Sequence, residues 1–203
     1  KRLSLYSQFV TILTGRTSGV QIKTTERSIT MKKTEKVRFL TEAAMIAAIY
    51  CVLTVCLPFM TFGQVQCRIA EALTVLPVFM PAAVPGLFVG CVLSNAVGLA
   101  MGANVAGALD ILVGALATGA AALLTRKWRH VRLRGLPVLS TLPPVVLNAL
   151  VVGLELTVAL YGWDARLYAI NALSVGAGEL ISATGGGLIL YIALRGRLNG
   201  EKR

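Results

Sequence analysis

The sequence predicts an all-α integral membrane protein, folded as a compact bundle of six transmembrane helices with both termini in the cytoplasm. Hydrophobic residues make up 56% of the 203 residues and charged residues only 14%, whereas a soluble domain carries about 25% charged residues. The apolar runs are long and continuous, without the alternation of a barrel strand. Basic residues are concentrated between alternate runs, which is the pattern that orients a helical membrane protein.

The N-terminal segment differs in composition from the remainder of the chain. Residues 1–30 are polar and basic and contain no apolar core of signal-peptide length. Met31 opens the stretch MKKTEKVRF, which has the character of a cytoplasmic start. We therefore interpret residues 1–30 as a polar extension that is either disordered or not native, and residues 31–203 as the six-helix domain.

Six apolar segments follow as candidate spans. They cover residues 39–57, 68–80, 82–100, 104–125, 144–161 and 168–194. The second is shorter than the roughly 20 residues of a full span, so we expect it to tilt with flanking residues recruited or to be partly re-entrant. Prolines mark bends or ends around the second, third and fifth spans, at positions 77, 81, 85, 143 and 144.

The distribution of basic residues predicts the orientation. With six spans and an internal N-terminus, thirteen basic residues after Met31 fall in cytoplasmic segments, and only Arg68 and Arg166 fall outside. The positive-inside rule strongly favours this orientation over its inverse. The net charge of +11 is explained by topology, because the basic residues form no aromatic-interleaved patch of the kind that binds nucleic acid.

Acidic residues inside apolar spans mark the candidate site, because a charge there costs roughly 3 kcal/mol. These acidic residues are Glu42, Glu71, Asp110, Glu155 and Glu179. Glu42 lies one turn from the cytoplasmic end and is expected to snorkel. Arg68 precedes Glu71 by three residues, so the two are expected to pair on one helical face.

The polar residues of the spans also share a depth. Counted at about 1.5 Å per residue, they gather in the outer half of the bundle. This set comprises Asp110, Glu155, Glu179, Arg68, Glu71, Asn95, Asn104 and Asn171. The asymmetry predicts an outwardly open pocket for a polar small molecule rather than a continuous pore.

Other features restrict the chemistry. No phosphate-binding or metal-binding motif occurs, so no cofactor is expected on this chain, and uphill transport would need partner proteins or an ion gradient. The four cysteines, Cys51, Cys56, Cys67 and Cys91, have no metal-like spacing and are interpreted as small packing residues.

Small residues repeat at four-residue spacing on the first and third spans. Ala43 with Ala47, and Ala44 with Ala48, form adjoining stripes on the first span. Such stripes let another helix approach closely, either inside the bundle or on a partner. Gly86 and Gly90 on the third span leave the same two alternatives open.

Three stretches together resemble a known family. They are FGQVQCRIAEALTVLPVFMPAAVPGLFVGCVLSN at residues 62–95, LPPVVLNALVVGLEL at 142–156 and NALSVGAGEL at 171–180. They resemble the QueT family, the queuosine-precursor substrate-binding (S) components of energy-coupling-factor (ECF) vitamin transporters. The resemblance runs from about residue 36 to residue 191, and residues 1–30 fall outside it.

The resemblance implies a six-helix S component in the bacterial cytoplasmic membrane. Such a component binds a 7-deazaguanine, such as prequeuosine or queuine, outside the cell. It docks on a module of one transmembrane coupling (T) protein and two ABC ATPases, and the ATP is used by those partners. The alanine stripe matches the AxxxA surface that S components use for docking, which implies that role for Ala43, Ala44, Ala47 and Ala48.

The chemistry of such a ligand suggests roles for the acids. A guanine-like ring offers adjacent N–H and amine donors that one carboxylate accepts, and an aminomethyl substituent adds a cation. Glu155 and Glu179 are the first choices for these roles. Asn95, Asn148 and Asn171 are candidates for hydrogen bonding to the remaining edge of the ring. Arg68 and Glu71 are candidates for gating or lining the mouth of the pocket. The structural alternative is an interhelical hydrogen bond.

Other functions remain open. The chain is alternatively an S component for another vitamin, or a gradient-driven carrier of a purine-like nutrient. It is also compatible with a membrane scaffold whose acids only hold helices together. An intramembrane enzyme ranks lowest, because no set of nucleophile, base and metal is visible.

Overall fold

The computed structural model describes residues 19–62 and 67–200, with side chains described at 33–58, 60–62 and 67–196. Internal contacts divide the chain into two compact units, Lys1–Leu40 and Thr41–Arg203. The described part of the first unit is helical from Gly19. The predicted boundary after residue 30 stays a prediction, and residues 1–18 of that extension lie outside the described part. The packing described below belongs to the second unit.

The described residues are almost entirely helical. The α-helices are α1 Gly19–Val55, α2 Pro58–Thr61, α3 Ala83–Ala100, α4 Leu109–Lys127, α5 Leu142–Tyr161, α6 Ala165–Glu179 and α7 Gly187–Gly200. Three irregular helices complete the set, namely a 3₁₀ helix at Ile69–Val78, a 3₁₀ turn at Val138–Thr141 and a π segment at Leu180–Gly186. The predicted all-helical class is confirmed.

Five helical segments are long and apolar enough to cross a membrane. They are Lys33–Val55, Ala83–Ala100, Leu109–Lys127, Val138–Tyr161 and Ala165–Gly196. The predicted second span is the 3₁₀ helix Ile69–Val78. At about 2.0 Å per residue it is roughly 20 Å long, short of an apolar core of about 30 Å. Six crossing helices and cytoplasmic termini therefore stay predictions.

The start of α4 differs from the sequence prediction. The helix begins at Leu109 rather than at residue 104, because the preceding turn contains Gly102 and Gly107 at positive φ. Asn104 lies in that turn, where its side-chain oxygen accepts a hydrogen bond from the amide of Ala106 at 3.1 Å. Asp110 therefore stands in the first turn of α4, nearer the start of the helix than counting from residue 104 predicted.

Helix α6, in contrast, begins earlier than the last predicted span, at Ala165 rather than at residue 168. The carboxylate of Asp164 caps the helix by accepting from the amides of Arg166 and Leu167 at 2.8 and 2.9 Å. The earlier start places Glu179 about 21 Å along α6. Glu179 is therefore near the middle of the bundle rather than in its outer half.

Replacing the helix cap Asp164 by alanine should destabilise the protein by about 1 kcal/mol, because two amides of the first turn lose their acceptor. The thermal unfolding temperature in detergent would measure the loss. Asp164→Asn is the matched control, since asparagine caps about as well as aspartate. Equal losses in both variants would contradict the capping role.

Helices α1 and α3 approach closely through small residues. A Cβ atom at Gly86 would lie 2.8 Å from the carbonyl oxygen of Ala43, and one at Gly90 would lie 2.9 Å from the Cβ of Tyr50 and 3.0 Å from the carbonyl oxygen of Ala47. The two glycines therefore serve internal packing, which answers one alternative left open by the sequence.

The four alanines that were predicted to dock a partner differ in whether they face this contact. Ala47 is buried and Ala43 half-buried on the side facing α3, whereas Ala44 and Ala48 are exposed. The assignment of Ala43 and Ala47 to a docking surface is corrected, because their stripe is already used inside the bundle. Ala44 and Ala48 stay available as a docking surface.

Two of the three irregular helices, the 3₁₀ helix and the π segment, pack against each other. The π segment follows Glu179 directly, and it contacts the 3₁₀ helix that carries Glu71. A Cβ atom at Gly186 would lie 3.1 Å from the Cβ of Ala72, so the glycines of the π segment permit this approach. Departures from α geometry of this kind are frequent at functional sites.

The opposite end of the bundle, where α4 ends and α5 begins, is closed by hydrogen bonds. Thr125 donates to the carbonyl oxygen of Ser140 at 2.8 Å, and Arg126 donates to that of Pro77 at 3.1 Å. These bonds tie α4 to the 3₁₀ turn and to the end of the 3₁₀ helix. The helices are therefore anchored at this end, and the polar cluster described next lies towards the end at which α4 begins.

Candidate functional site

The buried charges define the candidate site. In the described part of the chain, the charged side chains that are buried comprise one cation, Arg68, and four acids, Glu71, Asp110, Glu155 and Glu179. The 3₁₀ helix, α4, α5 and α6 each supply one of the acids. The sequence predicted all five as site residues, and the structure determines how they are paired.

Arg68 pairs with Asp110 and not with Glu71. A guanidinium nitrogen of Arg68 lies 3.6 Å from Oδ2 of Asp110, and both side chains are almost fully buried. Arg68 stands before the 3₁₀ helix in an extended conformation, so it is not on a helical face shared with Glu71. The predicted Arg68–Glu71 pair is thus wrong as an ion pair, and the burial of both residues is also inconsistent with their lining the mouth in this structure.

Two asparagines hold the Asp110 region in place. Asn104 donates to Oδ2 of Asp110 at 3.0 Å, and Asn95 of α3 donates to the backbone carbonyl of Asp110 at 2.6 Å. Oδ1 of Asp110 lies over Gly114, where a Cβ atom would collide with it. The amides of Asn95 and Asn104 thus fix the turn between α3 and α4, which is a structural role.

Cys91 is a member of this cluster that the sequence did not identify as polar. Its buried sulfur lies 3.7 Å from Nη1 of Arg68, 3.6 Å from Nδ2 of Asn95 and 3.5 Å from the hydroxyl of Thr118. It also packs in the apolar core, as predicted. The spacing of the cysteines carried no signal for these polar contacts.

The aromatic ring of Phe62 covers Arg68. The guanidinium carbon lies 5.7 Å from the ring centroid, at the distance of a cation–π contact. The ring is buried against Gly98, where a Cβ atom would collide with it. Phe62 was quoted in the family motif, but nothing in its spacing indicated this contact.

Glu71 is held by a tyrosine of α1. The hydroxyl of Tyr50 donates a short hydrogen bond to Oε1 of Glu71, and both side chains are fully buried. Tyr50 was read only as an apolar residue of the first span. Its position in an apolar segment could have indicated a polar contact, since a buried tyrosine hydroxyl usually has a hydrogen-bond partner.

Glu179 is held in a comparable manner from α5. The amide of Asn148 donates to Oε1 of Glu179 at 2.8 Å. Asn148 and Glu179 were both predicted as ligand-binding residues, and the structure brings them together. Glu155 differs from both other glutamates, because neither of its carboxylate oxygens has a hydrogen-bond partner among the described residues.

Asn171 serves a different contact. It donates to the hydroxyl of Thr157 at 3.0 Å, beside Gly153, whose absent side chain lets α6 approach the α5 backbone. The hydrogen bond joins α5 to α6, which is the structural alternative foreseen for the polar residues.

Several buried polar atoms of the cluster have no partner within the described ranges 33–58, 60–62 and 67–196. They are Arg68 Nη2, Glu71 Oε2, Asn95 Oδ1, Asp110 Oδ1, both carboxylate oxygens of Glu155, and Glu179 Oε2. Buried polar atoms are nearly always hydrogen-bonded, so these unsatisfied atoms make the cluster the candidate binding site. Searching the same residues finds no group of three metal-ligating side chains.

The fold and the site together define a class of protein. A bundle of apolar helices enclosing unpaired buried acids is typical of a multi-pass membrane protein that binds a polar small molecule. The family model described as QueT transporter matches residues 40–196. The chain therefore belongs to the QueT transporter family, which confirms the resemblance seen in the sequence. No curated protein and no solved structure matches the chain.

Proposed function

We propose that the protein is the substrate-binding component of an ECF-type ABC importer, which captures a 7-deazaguanine queuosine precursor outside the cell. Membership of the QueT transporter family supports the transport role. The observation that carries the choice of ligand is the excess of buried acid. Among the described residues, four carboxyl groups but only one guanidinium are buried, and a ring edge with several N–H donors supplies the hydrogen bonds that those acids lack.

Glu155 is the residue proposed to accept hydrogen bonds from the guanine-like edge of the ligand. Both of its carboxylate oxygens lack partners among the described residues, although the side chain is only 7% exposed. The ring N–H and the neighbouring exocyclic amine of a deazaguanine are two parallel donors, and one carboxylate accepts both. A carboxylate that is already hydrogen-bonded at one oxygen, such as that of Glu71 or Glu179, cannot do this as readily.

The proposal includes the membrane arrangement. The chain would cross the bacterial cytoplasmic membrane six times, with the 3₁₀ helix and its flanking residues forming the second crossing and both termini in the cytoplasm. The thirteen basic residues of the predicted cytoplasmic segments support this orientation. The polar cluster, at the end where α4 begins, would then be reached from outside.

Energy for uptake is proposed to come from partners. A transmembrane coupling protein and two ABC ATPases would bind the chain and hydrolyse ATP, and this chain would bind no cofactor itself. Ala44 and Ala48 of α1 are exposed and are small enough for close helix approach. They are therefore the residues proposed for docking on the coupling protein.

Calorimetric titration of the purified full chain in detergent with 7-aminomethyl-7-deazaguanine tests the ligand. We expect micromolar or tighter binding. Glu155→Gln should weaken it by about 100-fold, because the amide replaces one of two acceptors by a donor and leaves a ligand N–H unpaired. Asp164→Asn, an acid-to-amide change at an exposed cap, should bind as the wild type does. Absence of binding to stable protein would refute the assignment of the substrate.

Uptake into cells tests the energy source. Accumulation of the labelled deazaguanine should require both this chain and the ATPase module. Uptake that persists without the module, and that collapses when the ion gradient is dissipated, would instead establish the gradient-driven carrier. Ala44→Leu together with Ala48→Leu should reduce uptake and leave calorimetric binding unchanged.

A further inference from the structure

Glu71 and Glu179 have the same unusual bonding pattern. Each carboxylate has one oxygen held by an uncharged donor, from Tyr50 in one case and Asn148 in the other. The second oxygen of each is buried and has no hydrogen-bond partner in the part of the chain that the structure describes. The acids come from different helices, so the repetition is not a consequence of local sequence.

The two carboxylates also belong to neighbouring parts of the bundle, because the π segment that directly follows Glu179 packs against the 3₁₀ helix of Glu71. A charge on Glu71 would act on Glu179, and the charge of Arg68 acts on both acids. The contact between the two elements lies beside Glu71, because a Cβ atom at Gly186 of the π segment would lie 3.1 Å from the Cβ of Ala72. Arg68, the only buried cation within the described residues, is already engaged with Asp110 at 3.6 Å. The pair therefore lacks a counter-charge of its own, and an unpaired buried charge is costly.

We infer that Glu71 and Glu179 form a subsite for a protonated amine, which makes the protein select a 7-aminomethyl-7-deazaguanine over the corresponding 7-cyano compound. The inference rests on the proposed function and assigns a specificity that the function alone does not require. An ammonium group donates three hydrogen bonds, so it can donate to the bare oxygen of each acid, and it supplies a positive charge to the pair. A nitrile is uncharged and has no donor.

Each polar group of such a ligand has a complementary unsatisfied atom in the site. One side of the ring system presents the exocyclic amine, the ring N–H, the carbonyl oxygen and then the aminomethyl substituent. Among the described residues, Glu155 offers two acceptors without hydrogen-bond partners, and Glu71 and Glu179 offer one each. Arg68 offers Nη2, which lies 3.6 Å from Oδ2 of Asp110 but donates no hydrogen bond to a described residue. The charge of Arg68 acts on Glu155, Glu71 and Glu179 alike, which is consistent with Arg68 donating to the carbonyl oxygen of the same ligand.

Tyr50 and Asn148 are positioning residues in this arrangement. Each holds one oxygen of its acid and thereby directs the other towards the shared subsite. Neither carries a charge, so neither neutralises the pair in the absence of ligand. A lysine or arginine at either position would fill the subsite from within the protein.

The test compares calorimetric binding of the aminomethyl and cyano compounds to the full chain in detergent. The wild type should bind the amine at least 10-fold more tightly than the nitrile. Glu71→Gln and Glu179→Gln should each bring this ratio close to one, and should leave nitrile binding within about 3-fold of the wild type. Glu155→Gln should weaken both ligands alike, because both share the guanine edge.

The outcomes separate the inference from the function on which it rests. Equal affinity of the wild type for both compounds, or an unchanged ratio in both glutamine variants, overturns the inference while the deazaguanine assignment stands. Binding of neither compound to stable protein overturns both. The two variants lie on different helices, so failure of one to fold leaves the other, and the wild-type ratio, to decide the matter.

Discussion

Removing the buried guanidinium of Arg68 is expected to destabilise the protein by about 3–5 kcal/mol. In Arg68→Met, the Asp110 carboxylate keeps its hydrogen bond from Asn104 at 3.0 Å but loses its cation. The penalty arises because a buried charge is left uncompensated, and much less from the loss of attraction itself. Loss of the contacts to Phe62 and Cys91 adds to it. Thermal unfolding in detergent measures the effect.

A second variant separates charge from packing. The double variant Arg68→Met/Asp110→Asn removes both charges and keeps an acceptor for Asn104, so it should recover most of the lost stability. Arg166→Met is the matched control, because Arg166 is exposed at the start of α6, and it should change stability by no more than about 0.5 kcal/mol. If Arg68→Met is as stable as this control, the ion pair has no structural role.

Introducing a leucine at Gly90 is expected to cost about 3 kcal/mol or more. A Cβ atom there would lie 2.9 Å from the Cβ of Tyr50, 3.0 Å from the Ala47 carbonyl oxygen and 3.1 Å from the Ala47 Cα. Two of these atoms belong to the backbone, so no side-chain rotation relieves the contact. Helix α1 must move away from α3, and Tyr50 would move with it.

The displacement should also reach the site. Because Tyr50 holds Oε1 of Glu71, Gly90→Leu should weaken aminomethyl-deazaguanine binding as well as lower the unfolding temperature. Gly196→Leu is the matched control, since no heavy atom lies within 4 Å of a Cβ at that position. An unfolding temperature and an affinity equal to those of the control would show that α1 and α3 are not in close contact.

The helical segments were readable from the sequence to within a few residues. The predicted segments 82–100 and 144–161 agree closely with Ala83–Ala100 and Leu142–Tyr161, since apolar length is a local property. The predicted helix starts were wrong where a capping residue or glycines in a turn set the first residue of the helix. Asp164 starts α6 before the apolar run begins, and the glycines at 102 and 107 delay the start of α4.

The site was predicted less completely than the fold. Acids in apolar spans are conspicuous because each is costly, and all four buried acids were singled out in advance. Their partners Tyr50 and Cys91 were missed, because a tyrosine or cysteine in an apolar helix is unremarkable until packing shows what its polar atom meets. The Arg68–Glu71 pair was wrong because i, i+3 spacing applies within a helix, and Arg68 precedes the first helical residue.

By itself, the sequence determined which segments leave water, which family the chain belongs to and which acids need an explanation. Transfer free energies act residue by residue along the chain, so they need no knowledge of neighbours. The tertiary structure decided that Arg68 pairs with Asp110, that Glu155 has no hydrogen-bond partner among the described residues, and that Glu71 and Glu179 are each held at one oxygen by an uncharged donor. These facts depend on where helices from distant parts of the chain cross, and those crossings are set by contacts such as Gly90 against Ala47, which spacing along the chain does not encode.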